Sequence, residues 1–254
     1  MDVQPVVLQG RSLRLEPLSL EHVPQLAIAG RDESIWHYML YGPVTDEPRM
    51  RLWVQDMLNR QKRGTDLPFA VILLETGRAI GATRYIDIRP ADRGVEIGGT
   101  WYAVEYQRTA ANTECKYLLL KHAFETLGCI RVQFKTDLRN ERSQRAIERL
   151  GAVKEGVFRN HMILLDGTIR HSVYYSIIDA EWPTVKAFLE QKLNPVNIGH
   201  RHTPKAAQVT TTRTSSTRLS VPTSPRYTLS ISPSRAPGEI SRTTSRSTST
   251  TPPA

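Results

Sequence analysis

The stretch that most limits how this chain can fold is Cys115 to Leu127, CKYLLLKHAFETL, because it is apolar on nearly every side. Leu118, Leu119 and Ala123 recur at helical spacing, and Tyr117, Leu120, Phe124 and Leu127 widen the band. Only a narrow charged stripe remains, through Glu114, Lys121 and Glu125, and Gly128 supplies a stop. Such a helix must be covered on most sides, so it belongs inside a domain. A short polar loop, Gln107 to Thr113, runs straight into it. Small residues there let several backbone N–H groups converge at the helix N-terminus, where the dipole favours an anion such as a phosphate.

The flanks read as strands. Val6 to Leu18 alternates toward its end, and Ser19 is placed to cap a helix through His22, Val23 and Leu26. An aromatic segment, Ile35 to Val44, precedes an amphipathic helix over Glu47 to Arg63. Leu67 to Glu75, Ala79 to Ile88 and Val95 to Tyr102 are joined by the turns Thr76-Gly77 and Pro90 to Gly94, which predicts an antiparallel meander. The apolar helix then leads to a strand over Cys129 to Thr136, and a helix between two strands of one sheet predicts a parallel pair at that point. Asn140 opens a short helix closed by Gly151. Ala152 to Leu165 and Thr168 to Ile178 form a hairpin around Asp166-Gly167, and Glu181 to Leu193 is a last helix. The expected fold class is mixed α/β (α+β-like), with a twisted, mostly antiparallel sheet of about seven strands and helices on both faces.

The formal charge of +9 is concentrated at the C-terminal end. Residues 195–254 hold eight Lys or Arg against the single acid Glu239, and 24 Ser or Thr lie between 203 and 254. So little apolar surface cannot offset the entropy of ordering, which predicts one folded domain over 1–194 and a disordered basic Ser/Thr/Pro-rich tail over 195–254. Two cysteines, Cys115 and Cys129, indicate no disulfide framework and a reducing compartment. The first residues carry no signal-peptide pattern and no run reaches membrane-span length, so the expectation is a soluble cytoplasmic protein without membrane contact. Seven histidines show no ligand spacing, and no metal is expected.

Three segments in order carry more specific information: Glu96-Ile97-Gly98 on a strand, the loop Gln107-Arg108-Thr109-Ala110-Ala111-Asn112 before the long helix, and Asn140-Glu141-Arg142-Ser143 leading to Leu150-Gly151. Their order and spacing resemble the N-acetyltransferases of the GNAT superfamily, in particular the branch of ribosomal-protein alanine N-acetyltransferases. The closing run, with Leu165-Asp166-Gly167, Arg170, Tyr174-Tyr175-Ser176 and Glu181-Trp182, resembles the end of that branch. The resemblance spans residues 8 to 193 and makes the folded region, 1–194, an expected N-acetyltransferase domain. It implies the GNAT-type sheet, acetyl-CoA as co-substrate, and a diphosphate held along Gln107, Arg108, Thr109, Ala110, Ala111, Asn112 and Thr113. It also implies that Asn140 binds the pantetheine arm. The family's loop has the form Gln/Arg-x-x-Gly-x-Gly/Ala, so Ala110 and Asn112 depart from it. A left-handed alanine at 110 would cost about 1–2 kcal/mol. Many members carry a tyrosine seven residues after the asparagine, where this chain has Ile147. In the ribosomal-protein branch a serine three residues after it is the proposed acid, and Ser143 stands there.

Amide formation requires a free amine. A lysine-like amine with a pKa near 10.4 is about one part in 2,000 free base at pH 7, so a group must take its proton. Strict alternation puts Glu96 on the strand face opposite Val95, Ile97 and Trp101 and alongside Thr100 and Tyr102, which makes it the candidate general base. A backbone N–H near the strand opening would meet the developing oxyanion. Trp36, Tyr38, Tyr41 and Trp101 either line an acceptor pocket or fill the core. The leading function is acetyl transfer to a primary amine, on a protein N-terminus or a small molecule, by a monomer or homodimer. The alternative is a non-catalytic acyl-CoA-binding or scaffold protein. In both, the basic tail is expected to make weak, salt-sensitive contact with nucleic acid.

Overall fold

The computed structural model describes residues 1–194; the tail predicted from composition lies outside the described residues. Eight strands form one sheet in the order β1-β2-β3-β4-β5-β6-β8-β7. The extra strand comes from the N-terminal segment, expected as one strand, which turns at Gly10 into β1 (Leu8–Gln9) and β2 (Leu13–Pro17). The turn is fixed by Glu114, a buried carboxylate that accepts hydrogen bonds from the Arg11 and Ser12 amides and the Ser12 hydroxyl. Glu114 therefore does not belong to a solvated stripe, because an N-terminal strand covers it.

Strands β3 (Leu67–Leu73), β4 (Arg78–Arg89) and β5 (Gly94–Tyr102) form the expected antiparallel meander. Helix α3 (Ala110–Lys121) crosses to β6 (Arg131–Asp137), which pairs with β5 in parallel. The β7 (Val153–Ile163) and β8 (Ile169–Ile178) hairpin completes the sheet, with β8 inserted beside β6. Helices α1 (Val23–Ala29) and α2 (Glu47–Lys62) pack on one face, and α4 (Glu141–Glu148) and α5 (Trp182–Leu193) complete the helical set.

Period-two alternation in the strands sorts their apolar residues into two cores. Leu13, Leu15, Leu67, Phe69, Val71, Val95, Ile97, Val132, Phe134, Val173 and Tyr175 pack with Cys115, Leu119 and Ala123 of the central helix and with Trp182 and Leu189 of α5. Ala70, Ile72, Ala79, Ala82 and Trp101 pack with Leu26 of α1 and Met50, Val54 and Met57 of α2. The central helix is enclosed as its sequence requires. It begins earlier than the polar loop suggested, at Ala110, so Ala110 to Thr113 form its first turn. Beyond Lys121 it continues over His122–Thr126 in π-helical geometry. Cys115 and Cys129 are buried free thiols.

One local irregularity changes the faces of β5. Register runs Arg84↔Gly98 and then Ala82↔Trp101, so Gly99 and Thr100 together oppose Thr83. Gly99 has φ +57°, a left-handed conformation that suits a residue without Cβ, and the pair forms a β-bulge. The extra residue inverts the alternation. Trp101 falls in the α1/α2 core, and Tyr102 in the core that holds Val95 and Ile97. The expectation that Glu96 shares a face with Thr100 and Tyr102, opposite Trp101, is therefore corrected. The bulge reverses it.

Candidate active site

The parallel pair β5·β6 has three registered positions, Gly94↔Arg131, Val95↔Val132 and Glu96↔Gln133. Both strands continue, to Tyr102 and Asp137, without further pairing to each other. The sheet thus opens at the carboxyl ends of two parallel strands, the place where open α/β sheets take ligands. Helices α3 and α4 both start directly beyond those ends.

At α3, Thr109 is the N-cap; its hydroxyl accepts from the Ala111 amide at 3.2 Å and donates to the Tyr106 carbonyl at 2.8 Å. The first-turn amides of Ala110 and Asn112 have no intrahelical acceptor and are free to meet an anion. The left-handed residue of this loop is Arg108, at φ +61°, rather than Ala110, which is helical. An alanine at 110 is therefore unstrained, and its departure from the glycine pattern carries no steric cost here. Arg108 and Thr109 are exposed, Gln107, Asn112 and Thr113 half-buried, and Ala111 buried. Gln107 does not point outward. Its amide donates to the Tyr102 carbonyl at 3.1 Å and accepts from Arg142 at 2.7 Å, tying the end of β5 to the first turn of α4.

At α4, Asn140 is the N-cap, and its Oδ1 accepts from the Ser143 amide at 3.0 Å. Only its NH2 group remains available to a ligand. Ser143 is half-buried, and its hydroxyl has no hydrogen bond among the described residues.

Glu96 is 3% exposed. Its Oε2 accepts from Gln133 at 3.1 Å and pairs with Lys135 at 3.4 Å. Oε1 takes neither contact and stands at the bulge: a Cβ on Gly98 would lie 3.1 Å from it, so the glycine leaves the space beside the carboxylate open. Three further residues share this polar sheet face. The His161 ring faces the Ser172 hydroxyl at 2.9 Å through Nδ1 and the Tyr174 hydroxyl at 3.3 Å through Nε2. Burial, with the nearby Lys135 and Arg170 charges, holds the imidazole below its ordinary pKa, so it is neutral at pH 7. Burial, followed by the Glu96 and Asp87 charges, raises the Tyr174 phenol. Burial pushes the Asp137 carboxyl upward, but two contacts from Arg139, at 2.8 and 3.0 Å, hold it below the usual range.

Sequence reading missed Gln133, Lys135, His161 and Tyr174. The available signal was the alternation of polar residues along β6, Arg131, Gln133, Lys135 and Asp137, which marks an uncovered sheet face. Of the aromatic candidates, Trp36 and Trp101 are core residues with ring centroids 4.9 Å apart. Tyr41 packs at that core's edge, and Tyr38 donates to the Arg139 carbonyl at 3.2 Å, linking the α1–α2 loop to the β6–α4 turn. Among the described residues no group of His, Cys, Asp or Glu is arranged to hold a metal, and no helix is long and apolar enough to cross a membrane.

Residues 12–153 match the family described as Acetyltransferase (GNAT) domain. A solved acetyltransferase from T. thermophilus is similar to this chain at 40% identity and TM-score 0.69, covering 76% of this chain and all of that one. A GCN5-related N-acetyltransferase from Brucella melitensis is 30% identical with TM-score 0.73, covering 78% of this chain and 90% of its own. YdaF of Bacillus subtilis, carried as a provisional ribosomal N-acetyltransferase, is 27% identical over 170 residues, 66% of this chain and 90% of YdaF.

Proposed function

We propose that this chain, which belongs to the GNAT acetyltransferase family, transfers acetyl from acetyl-CoA to a primary amine. The observation that supports this most is the end of pairing between β5 and β6, with two helix N-termini beyond it and Glu96 Oε1 beside it. The donors present fit the co-substrate. Free first-turn amides of α3 suit a diphosphate, with Arg108, Asn112 and Thr113 around them. The Asn140 NH2 group suits an amide of the pantetheine arm, and the unpaired edge of β5 accommodates an extended thioester chain.

In this reading Glu96 Oε1 takes the proton of the acceptor amine, directly or through one water, while Gln133 and Lys135 fix the carboxylate through Oε2. The amine nitrogen forms a bond to the acetyl carbon, and backbone N–H groups of β5 beyond Glu96 stabilise the carbonyl oxygen as it gains charge. The C–S bond breaks, and the half-buried Ser143 hydroxyl protonates the departing thiolate. The acceptor is a protein N-terminus or a small amine, and the YdaF likeness favours a ribosomal protein among the first of these. Such a reaction suits the cytoplasm, where acetyl-CoA and reduced thiols coexist. Thiol release from acetyl-CoA across a mixed panel of amines and N-terminal peptides tests it. Amine-dependent release is the expected result. Binding of acetyl-CoA without release for any amine supports an acyl-CoA-binding or scaffold protein instead.

A further inference from the structure

Lys116 lies one and a half turns into α3, is 6% exposed and has no carboxylate partner among the described residues. Its ammonium donates to the hydroxyls of Thr100 and Thr83, which also bond each other at 2.7 Å. Burying an ammonium among hydroxyls is costly, and burial drives its pKa from the ordinary 10.5 down to about 8. A methionine of similar length would fill the same space at lower cost. The contacts explain what the lysine adds. Thr100 and Thr83 are the two sides of the β5 bulge, where the sheet opens. On the opposite face the Arg84 guanidinium presses on the same bulge, since a Cβ at Gly99 would lie 2.9 Å from its Nε, and Asp66 holds that guanidinium at 3.1 Å. Arg84 is thus anchored to its own side of the sheet. Lys116 alone among these residues joins the bulge to the helix whose N-terminus faces the cleft.

We propose that Lys116 is a positioning residue for acetyl transfer, tying the bulged end of β5 to α3 so that the diphosphate end and the thioester end of the cleft keep one spacing. The proposal rests on the acetyltransferase reading given above. Loss of the tie leaves α3 able to hold the diphosphate but lets the β5 backbone drift from the thioester carbonyl, so it acts on turnover rather than on affinity.

The test uses the full chain and four variants: K116M, T100V, T100S and the K116M/T100V pair. Valine keeps the shape of Thr100 without its hydroxyl, and serine keeps the hydroxyl. Misplacement of this kind predicts a fall in kcat of about tenfold or more in K116M and T100V, with KM for acetyl-CoA within about threefold, T100S close to the parent, and a double variant no worse than either single one. Turnover near the parent in both K116M and T100V, or T100S as damaged as T100V, or purely additive losses, overturns it. Amide hydrogen exchange supplies an arm independent of turnover. Acetyl-CoA is expected to slow exchange at 98–102 and 107–113 in the parent, and only at 107–113 in K116M. A parent that binds acetyl-CoA but acetylates no amine defeats the acetyltransferase reading, and the exchange arm then decides the tie by itself. Protection of 98–102 persisting in K116M overturns the proposal.

Discussion

Glu96 is held by two side chains from the neighbouring strand, and that arrangement separates its two oxygens by role. Oε2 is committed to Gln133 and Lys135, and Oε1 faces the bulge. Glu96→Gln keeps the shape and loses the base. It is expected to lower kcat at neutral pH by about a hundredfold, the lower end of general-base contributions, with acetyl-CoA affinity nearly unchanged by calorimetry. Raising the pH restores part of the rate as free amine accumulates, and a variant with the parent's pH profile contradicts the assignment. Lys116 titrates with the opposite emphasis, on stability. Its folded pKa, about 8, lies below the ordinary 10.5, and the groups around it are Thr83, Thr100 and the buried Cys115 and Tyr102. Between those values the unfolded chain binds the extra proton, so stability rises with pH from about 8 to 10.5 and carries the full penalty below 8. Relative to Lys116→Met, the parent should gain on the order of 3 kcal/mol between pH 7 and pH 11, read by urea denaturation of both at each pH. A constant difference would mean that Lys116 is solvated.

The N-terminus of α3 is the element on which cofactor affinity depends. Asn112 lies in its first turn, and Arg108 holds the left-handed position just outside it. Asn112→Asp or Arg108→Glu puts a negative charge where the diphosphate is expected, and each should weaken acetyl-CoA binding by about tenfold, more at low salt than at high. Unchanged affinity in both places the diphosphate elsewhere. The same element shows what periodicity can and cannot reveal. It identified a buried helix from Leu118, Leu119 and Ala123 because apolar spacing reports burial directly. It assigned Glu114 to a solvated stripe because spacing gives an angle around the helix axis, not the identity of what covers it. The β1–β2 turn that buries Glu114 comes from more than 100 residues away in sequence. Lys116 escaped notice for the same reason. On β5, Gly98-Gly99 read as two ordinary strand positions, and nothing local distinguishes a glycine that is left-handed from one that is extended. The order of Glu96, the Gln107 loop and Asn140 was legible because those segments sit at strand and helix ends that short connections fix. His161 and Tyr174 were not, since the register irregularity between Phe158 and Met162 hides them.

At the scale of the molecule, the described fold uses residues up to Asn194, and the matched family domain lies within it at 12–153. The remaining stretch contributes eight basic side chains and one acid to the sequence. A chain ended after Asn194 is expected to keep the parent's melting temperature and its turnover on small amines, and to lose whatever RNA retention the parent has at low salt. Equal retention by both chains leaves the stretch without a nucleic-acid role. The bulge in β5 has a consequence for how the chain tolerates changes of length. Loops absorb an added or lost residue because nothing downstream depends on their count. At Gly99 the pairing depends on the odd count: one residue fewer would restore plain alternation and send Trp101 toward α3 and Tyr102 toward α2, each into a cavity shaped for the other. Deletion of Gly99 should therefore abolish folding, while deletion of Gly167 at the hairpin tip leaves a folded chain by circular dichroism. A single glycine keeps two cores in phase.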